Sequence, residues 1–296
     1  MDTDMASPGF ERIVPADATL DRIAYGLDFG EGPVWDARNG CFIWVDIVGD
    51  TIWKWTPGKG RELVLRPSGK ANGTTFDRQG RLVVAGWGSR TIWRMEPDGS
   101  IKILASHYEG KKINTPNDIV VKSDGSIYWT DGAGGMFNLG MGGEDVQRYL
   151  DFAGVFRLWP EDHSLTLVAD DFMSPNGLCF SPDEKRLYIN DTQRAHIRVF
   201  DVRDDGTLSG GRVFYELIGE ERGHADGMKV DVEGNIYATG PAGIHVIDPA
   251  GKLLGRLKIP DDCTNLAWGD ADWQSLFITT ISAVFRVRLN IPGIPV

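Results

Sequence analysis

Short apolar runs, each led by an Asp/Gly-rich turn and ended by a small or polar residue, recur six times along the chain. They are DARNGCFIWVD (36–46), DRQGRLVVAG (77–86), KSDGSIYWTD (122–131), SPDEKRLYIND (181–191), DVEGNIYATG (231–240) and GDADWQSLFITT (269–280). Their anchors, Ile43, Val83, Tyr128, Tyr188, Tyr237 and Phe277, recur every 40 to 60 residues, the period of propeller blades. Each copy continues into segments of alternating polarity, such as TIWKWTP (51–57), TIWRMEPDGSIKIL (91–104) and HIRVFDVRDDGTLS (196–209). Pro-Asp-Gly, Asp-Asp-Gly and Pro-Ala-Gly sit between their halves, as hairpins require.

The pattern predicts an all-β fold: a six-bladed β-propeller of four-stranded antiparallel blades, one domain over residues 1–296. The last copy stops at its third strand, AVFRVRL (283–289). FERIVPA (10–16) is expected to supply the missing outer strand, closing the ring with an N-terminal strand and removing an exposed sheet edge. A β-sandwich or two stacked β-domains would also use short strands, but neither accounts for sixfold recurrence. The longest insertion, GAGGMFNLGMGGEDVQRYLDFAG (132–154), holds seven glycines with Met136, Phe137, Leu139 and Met141. It reads as a mobile lid or pocket wall, with a plain surface loop as the alternative.

The positions leading into each repeat carry the chemistry. In order they are GEGP with Glu31, KANG with Asn72, TPND with Asn117, SPNG with Asn176, HADG with Asp226 and CTNL with Asn265. Equivalent positions in a propeller converge on the central axis, so these side chains should ring one mouth of the channel. Oxygen-only donors select hard cations such as Ca²⁺, Mg²⁺ or Mn²⁺, and the carboxylates of Glu31 and Asp226 balance a divalent charge.

Composition narrows the function classes. The chain has 296 residues, 42% hydrophobic and 25% charged, with a net charge of −11. That charge argues against a nucleic-acid partner, which needs a basic face. No apolar run approaches the roughly 20 residues that span a bilayer, and the N-terminus has no basic and apolar leader pattern. No membrane partner is therefore expected, and the expected compartment is the cytoplasm. Cys41, Cys179 and Cys263 are odd in number and set in apolar strands, which suits buried reduced thiols. His107, His163, His196 and His245 fall away from the expected channel mouth.

Four motifs, EGPVWD (31–36), PNDIVVKSDGSIYWTD (116–131), SPNGLCFSPDEKRLYINDT (174–192) and HADGMKVDVEGNIYAT (224–239), give the chain a resemblance over nearly its whole length. It resembles the SMP-30 (senescence-marker)/gluconolactonase/luciferin-regenerating enzyme-like family. The resemblance implies a divalent cation at the channel mouth held by Glu31, Asn176 and Asp226, with Ca²⁺ foremost and Mg²⁺, Mn²⁺, Fe²⁺ or Zn²⁺ as alternatives. It also implies that Asn117 faces a small-molecule lactone, and that Thr115 stands where sugar-lactone members often place an Arg.

The expected reaction is metal-dependent hydrolysis of a small sugar lactone or related aldonolactone. Asp226 would serve as both ligand and general base, with Asp118 or a hydroxide on the metal as alternatives for the base. Thr115 and His224 would assist substrate binding; His224 lies two residues before Asp226, on the same side of an extended segment. A phosphotriesterase-like hydrolase or a non-catalytic metal-binding propeller is the competing reading.

Overall fold

A computed structural model describes residues 1–137, 140–159 and 161–296. Six antiparallel sheets stand around one axis as a six-bladed propeller. The innermost strands are Gly30–Asp36, Ala71–Phe76, Thr115–Val121, Pro175–Phe180, Met228–Val230 and Cys263–Gly269. Each touches the next in chain order, and the last touches the first. Helix among the described residues amounts to the short α-helix Gly134–Phe137 and the 3-10 turn Pro8–Arg12. None is long and apolar enough to cross a membrane.

The six apolar runs form the second strand of each blade, not the first. Cys41–Asp46, Leu82–Gly86, Ile127–Gly132, Ile236–Gly240 and Ser275–Thr280 are buried along their whole length. They lie between inner and outer strands and between neighbouring blades, so both faces are apolar and the runs are conspicuous. The innermost strands, such as GEGPVWD and ANGTTF, hold Gly, Pro and Asn that disfavour strands locally. Packing around the axis holds them extended nonetheless. The three cysteines are buried and unpaired, and burial pushes the Cys41 thiol up to about 11 and that of Cys179 up to about 12.

An N-terminal strand does complete the sixth blade, but it is Leu20–Tyr25, paired with Ala283–Arg288, and not FERIVPA. Pro8 starts a 3-10 turn over Pro8–Arg12, whose spacing puts Phe10 and Ile13 on one buried face. Pro15 has no N–H to give to a ladder. Ahead of this turn, Thr3–Met5 adds a fifth strand to the fifth blade through Leu253–Leu257. The N-terminal segment thus straps two blades together. At the seam between first and last blades, Phe277 stacks on Phe42 at 4.4 Å and on Trp35 at 5.5 Å between ring centroids.

Near the axis the pairing register slips at the same place in five blades. The slips fall between Glu31 and Val34, Ala71 and Thr74, Pro116 and Ile119, Pro175 and Leu178, and Cys263 and Asn265. In the fifth blade the strand begins only at Met228, after Asp226. Such bulges re-aim a side chain out of the sheet's alternation, and each lies at or beside the polar position that leads into the blade. Neighbouring backbones also come very close here. A Cβ on Gly177 would stand 2.3 Å from Asp226 O and 2.9 Å from Gly227 Cα, where the Gly177 N–H donates to Asp226 O at 3.0 Å.

Gly177→Ala should therefore destabilise the fold by about 3 kcal/mol, because backbone stands in the way and no side chain can yield. Gly40→Ala, at φ 61° with open space around the site of its Cβ, should cost only about 1 kcal/mol of backbone strain. Denaturant titration of the two variants checks this; equal losses would contradict the steric account.

Candidate active site

Buried aspartates at the ends of second strands hold the backbone just ahead of the bulges. Asp46 accepts the N–H groups of Asp28 and Phe29, each at 3.0 Å, immediately before Glu31. Asp131 accepts that of Asn114 at 2.8 Å, ahead of Asn117. Asp191 accepts those of Met173 and Ser174 at 2.8 and 3.1 Å, ahead of Asn176. The polar residues that end the runs CFIWVD, IYWTD and RLYIND are thus the anchors of the site. Their sequence signal was present, but only as strand stops.

Glu31, Asn117 and Asn176, so anchored, meet Asn72, His224 and Asp226 at one cavity of about 450 Å³ at the channel mouth. Phe29, Trp87 and Met141 give it an apolar wall. Of the residues expected at the site, Glu31, Asn176, Asp226, Asn117 and His224 line the cavity, with His224 at its exposed rim. Thr115 does not. Its hydroxyl donates to Gly132 O at 2.6 Å and accepts the Gly135 N–H at 3.1 Å, so it fixes the segment after the third blade's second strand. Asp118 also lies outside the cavity lining.

The HADG segment belongs to no strand, yet hydrogen bonds from other segments hold its backbone at Asp226 and Gly227. Asp226 N–H donates to Thr239 Oγ1 at 2.8 Å, and Asp226 O accepts from Gly177 N–H and Asn190 Nδ2. Thr192 relays between two members of the site: its hydroxyl donates to Ala225 O at 2.7 Å and accepts from Asn176 Nδ2 at 3.0 Å. That bond orients the Asn176 amide and leaves Oδ1 without a protein partner. Residues 190–192 of the INDT motif therefore set both Asn176 and Asp226, a role sequence reasoning missed.

Asn72 Oδ1, Asn117 Oδ1 and Asn176 Oδ1 are all buried and unpartnered. An unpaired buried carbonyl oxygen costs about 1–3 kcal/mol, and three at one cavity beside two carboxylates suit a hard divalent cation. Among the described residues no cluster of three His, Cys, Asp or Glu side chains forms a metal site; three of the five donor side chains here are amides. Glu31 Oε2 is held by the Gly32 N–H at 2.6 Å and Asn265 Nδ2 at 3.1 Å. Burial pushes the Glu31 carboxyl up to about 7, with the charge on Asp118 adding and that on Lys229 opposing. Asp226 is raised well above the usual carboxylate range, first by burial and then by the charge on Glu31.

Of the glycine-rich insertion, Gly134 and Met141 line the cavity, while residues 146–149 are exposed. A Cβ on Gly135 would stand 2.0 Å from Trp87 Nε1, so the glycine lets backbone lie against the indole. Met136 is buried, Phe137 is exposed, and Leu139 lies outside the described residues. Arg90, missed in the sequence, is 1% exposed and bridges Ile113 O, at 2.6 Å, to Gln147 O, at 2.7 Å.

Residues 29–282 match the SMP-30/Gluconolactonase/LRE-like region. A gluconolactonase of Zymomonas mobilis is 32% identical over 97% of this chain and 86% of its own length. A pentonolactonase of Haloferax volcanii is 29% identical over 85% of this chain and 81% of its own. The solved structure of a gluconolactonase from Xanthomonas campestris superposes with a TM-score of 0.91 at 32% identity, covering 98% of this chain and 95% of that one.

The raised carboxyls make the cation-free protein pH-sensitive. Folded Glu31 holds its proton where the unfolded chain has lost it, so stability falls as pH rises from about 4.3 to about 7. His245 and His196, lowered by burial, give the opposite slope below about 6.5, so a difference measurement is needed. Cation-free Glu31→Gln should melt near wild type at pH 5 and above it at pH 8. Scanning calorimetry at both pH values checks this, and a constant Tm difference would refute it.

Proposed function

The chain belongs to the SMP-30/gluconolactonase/LRE-like family, and on that footing we propose that it is a lactonase. It opens a small sugar lactone or related aldonolactone by attack of water at a divalent cation in the channel mouth. The observation that carries this reading is the convergence of Glu31 and Asp226 with three unpartnered amide oxygens on one small cavity. Glu31, Asn176 and Asp226 are the ligands, and their two carboxylates match one divalent charge. All-oxygen donors favour Ca²⁺, then Mg²⁺ or Mn²⁺, over the softer Fe²⁺ and Zn²⁺.

When bound, the cation polarises the lactone carbonyl and stabilises the oxyanion that forms as water adds. Asp226 takes the proton of the attacking water and returns it to the ring oxygen as the acyl C–O bond breaks, giving the open hydroxy acid. Asp118 is less suited to this step: its Oδ1 accepts the Ile119 N–H at 2.9 Å and its Oδ2 faces the Lys229 ammonium at 3.6 Å. Asn117 holds substrate oxygens from the cavity side, and His224 does so from the rim. Phe29, Trp87 and Met141 cover the apolar face of the ring. Among the described residues lining the cavity there is no Lys or Arg, which suits a neutral lactone better than a phosphorylated one. Thr115 acts on the substrate only through the segment it fixes.

Metal-stripped protein resupplied in turn with Ca²⁺, Mg²⁺, Mn²⁺, Fe²⁺ or Zn²⁺ is to be assayed on a lactone panel with a pH indicator. Asp226→Asn should lower kcat by about 10²–10⁴-fold, and Glu31→Gln should abolish calorimetric cation binding. Full hydrolysis by both variants after stripping would overturn the mechanism. Cation binding without turnover of any lactone would leave the channel with a structural ion alone.

A further inference from the structure

One layer below the cavity a lysine stands among acidic and amide side chains on the channel axis. Lys229 lies in the innermost strand Met228–Val230 of the fifth blade, with its side chain 19% exposed. Its ammonium donates to Met228 O at 3.0 Å and Asn265 Oδ1 at 3.4 Å, and stands 3.6 Å from Asp118 Oδ2. Asp118 is 3% exposed at its side chain, and that oxygen has no hydrogen-bond partner.

Asn265 Oδ1 also accepts the Leu266 N–H at 2.9 Å. With Oδ1 so occupied, the amide presents Nδ2 to Glu31 Oε2 at 3.1 Å. A continuous polar path therefore runs from Lys229 through Asn265 to the carboxylate of Glu31. Asp118 enters the same layer from the third blade, Asn265 from the sixth and Lys229 from the fifth.

We infer that Lys229 sets the charge selectivity of the channel, cancelling the charge of Asp118 so that Glu31 and Asp226 alone face the cation with a net −2. The inference rests on the reading of the channel mouth as a cation site. In a poorly solvated channel, uncompensated charge near Glu31 is weakly screened. Without the ammonium the site presents −3 and suits a trivalent ion; without the Asp118 charge it presents −1 and discriminates against one. A lysine with only a packing role would not give shifts of opposite sign for these two changes.

The test uses the metal-stripped full chain with Ca²⁺ and Tb³⁺ as probes. Tb³⁺ ligation is read by luminescence excited through Trp87, which lines the same cavity, and Ca²⁺ by competition, so no substrate is involved. Lys229→Met should shift the ratio of the two dissociation constants about tenfold or more toward Tb³⁺. Asp118→Asn should shift it toward Ca²⁺, and the double variant should return to the wild-type ratio. An unchanged ratio in either folded single variant, or a double variant that keeps the shift, would overturn the inference. If Lys229→Met does not fold, the Asp118→Asn and double variants still decide it. Wild-type protein that binds neither ion would instead remove the cation site on which the inference rests.

Discussion

Six backbones converging on one axis touch where glycine leaves no Cβ between them, and the rest of the structure follows from that crowding. Glycine stands at the contact between the fourth and fifth blades, where Gly177 meets the backbone of Asp226 and Gly227. The crowded strands cannot keep strict alternation, so five of them slip register beside the polar residue, and the sixth begins only after it. The cavity at the mouth is a by-product of closing the ring. Its chemistry comes from which oxygen each blade contributes.

Holding carboxylates there is unfavourable on its own. Glu31 and Asp226 are 2% and 8% exposed, and burial raises both toward the neutral form. The scaffold compensates by fixing the backbone around them: Asp46, Asp191, Thr192 and Thr239 take up the neighbouring N–H and C=O groups. The amide oxygens of Asn72, Asn117 and Asn176 are left free of protein partners, which is what a ligand-binding position requires. Local stability has been exchanged for a preorganised donor set.

How much of this could be read beforehand depends on where each residue's partners lie. Tyr128, Tyr188, Tyr237 and Phe277 announce the blades because strands buried on both faces carry consecutive apolar residues at their centres. Glu31, Asn72, Asn117 and Asn176 were legible because a bulge next to glycine or proline leaves a recurrent local signature; Asp226 shares the neighbouring glycine without the bulge, and Asn265 has the bulge without the glycine or proline and lies outside the cavity lining. The closing strand was misplaced: FERIVPA has apolar residues in suitable number, but Pro8 and Pro15 dictate a turn, and the more polar LDRIAY carries the ladder. Thr115 was expected to face substrate, yet its hydroxyl is used by Gly132 and Gly135. Lys229 and Arg90 escaped notice because their partners lie on other blades, 36 or more residues away in several cases, and no local pattern encodes such pairs.

The strap formed by the N-terminal segment also bears on how the chain is made. Leu20–Tyr25 leaves the ribosome long before its partner Ala283–Arg288 has been made. At about 5–20 residues per second, the strand waits on the order of tens of seconds with its hydrogen-bonding edge unmatched. Until it docks, the first and sixth blades are not neighbours, and Glu31 lacks the amide of Asn265. Ring closure and completion of the site are therefore one event, which waits until the sixth blade has been made. A nascent or truncated chain holding five finished blades would still expose two sticky sheet edges and would depend on chaperones more than its local strand pairing suggests.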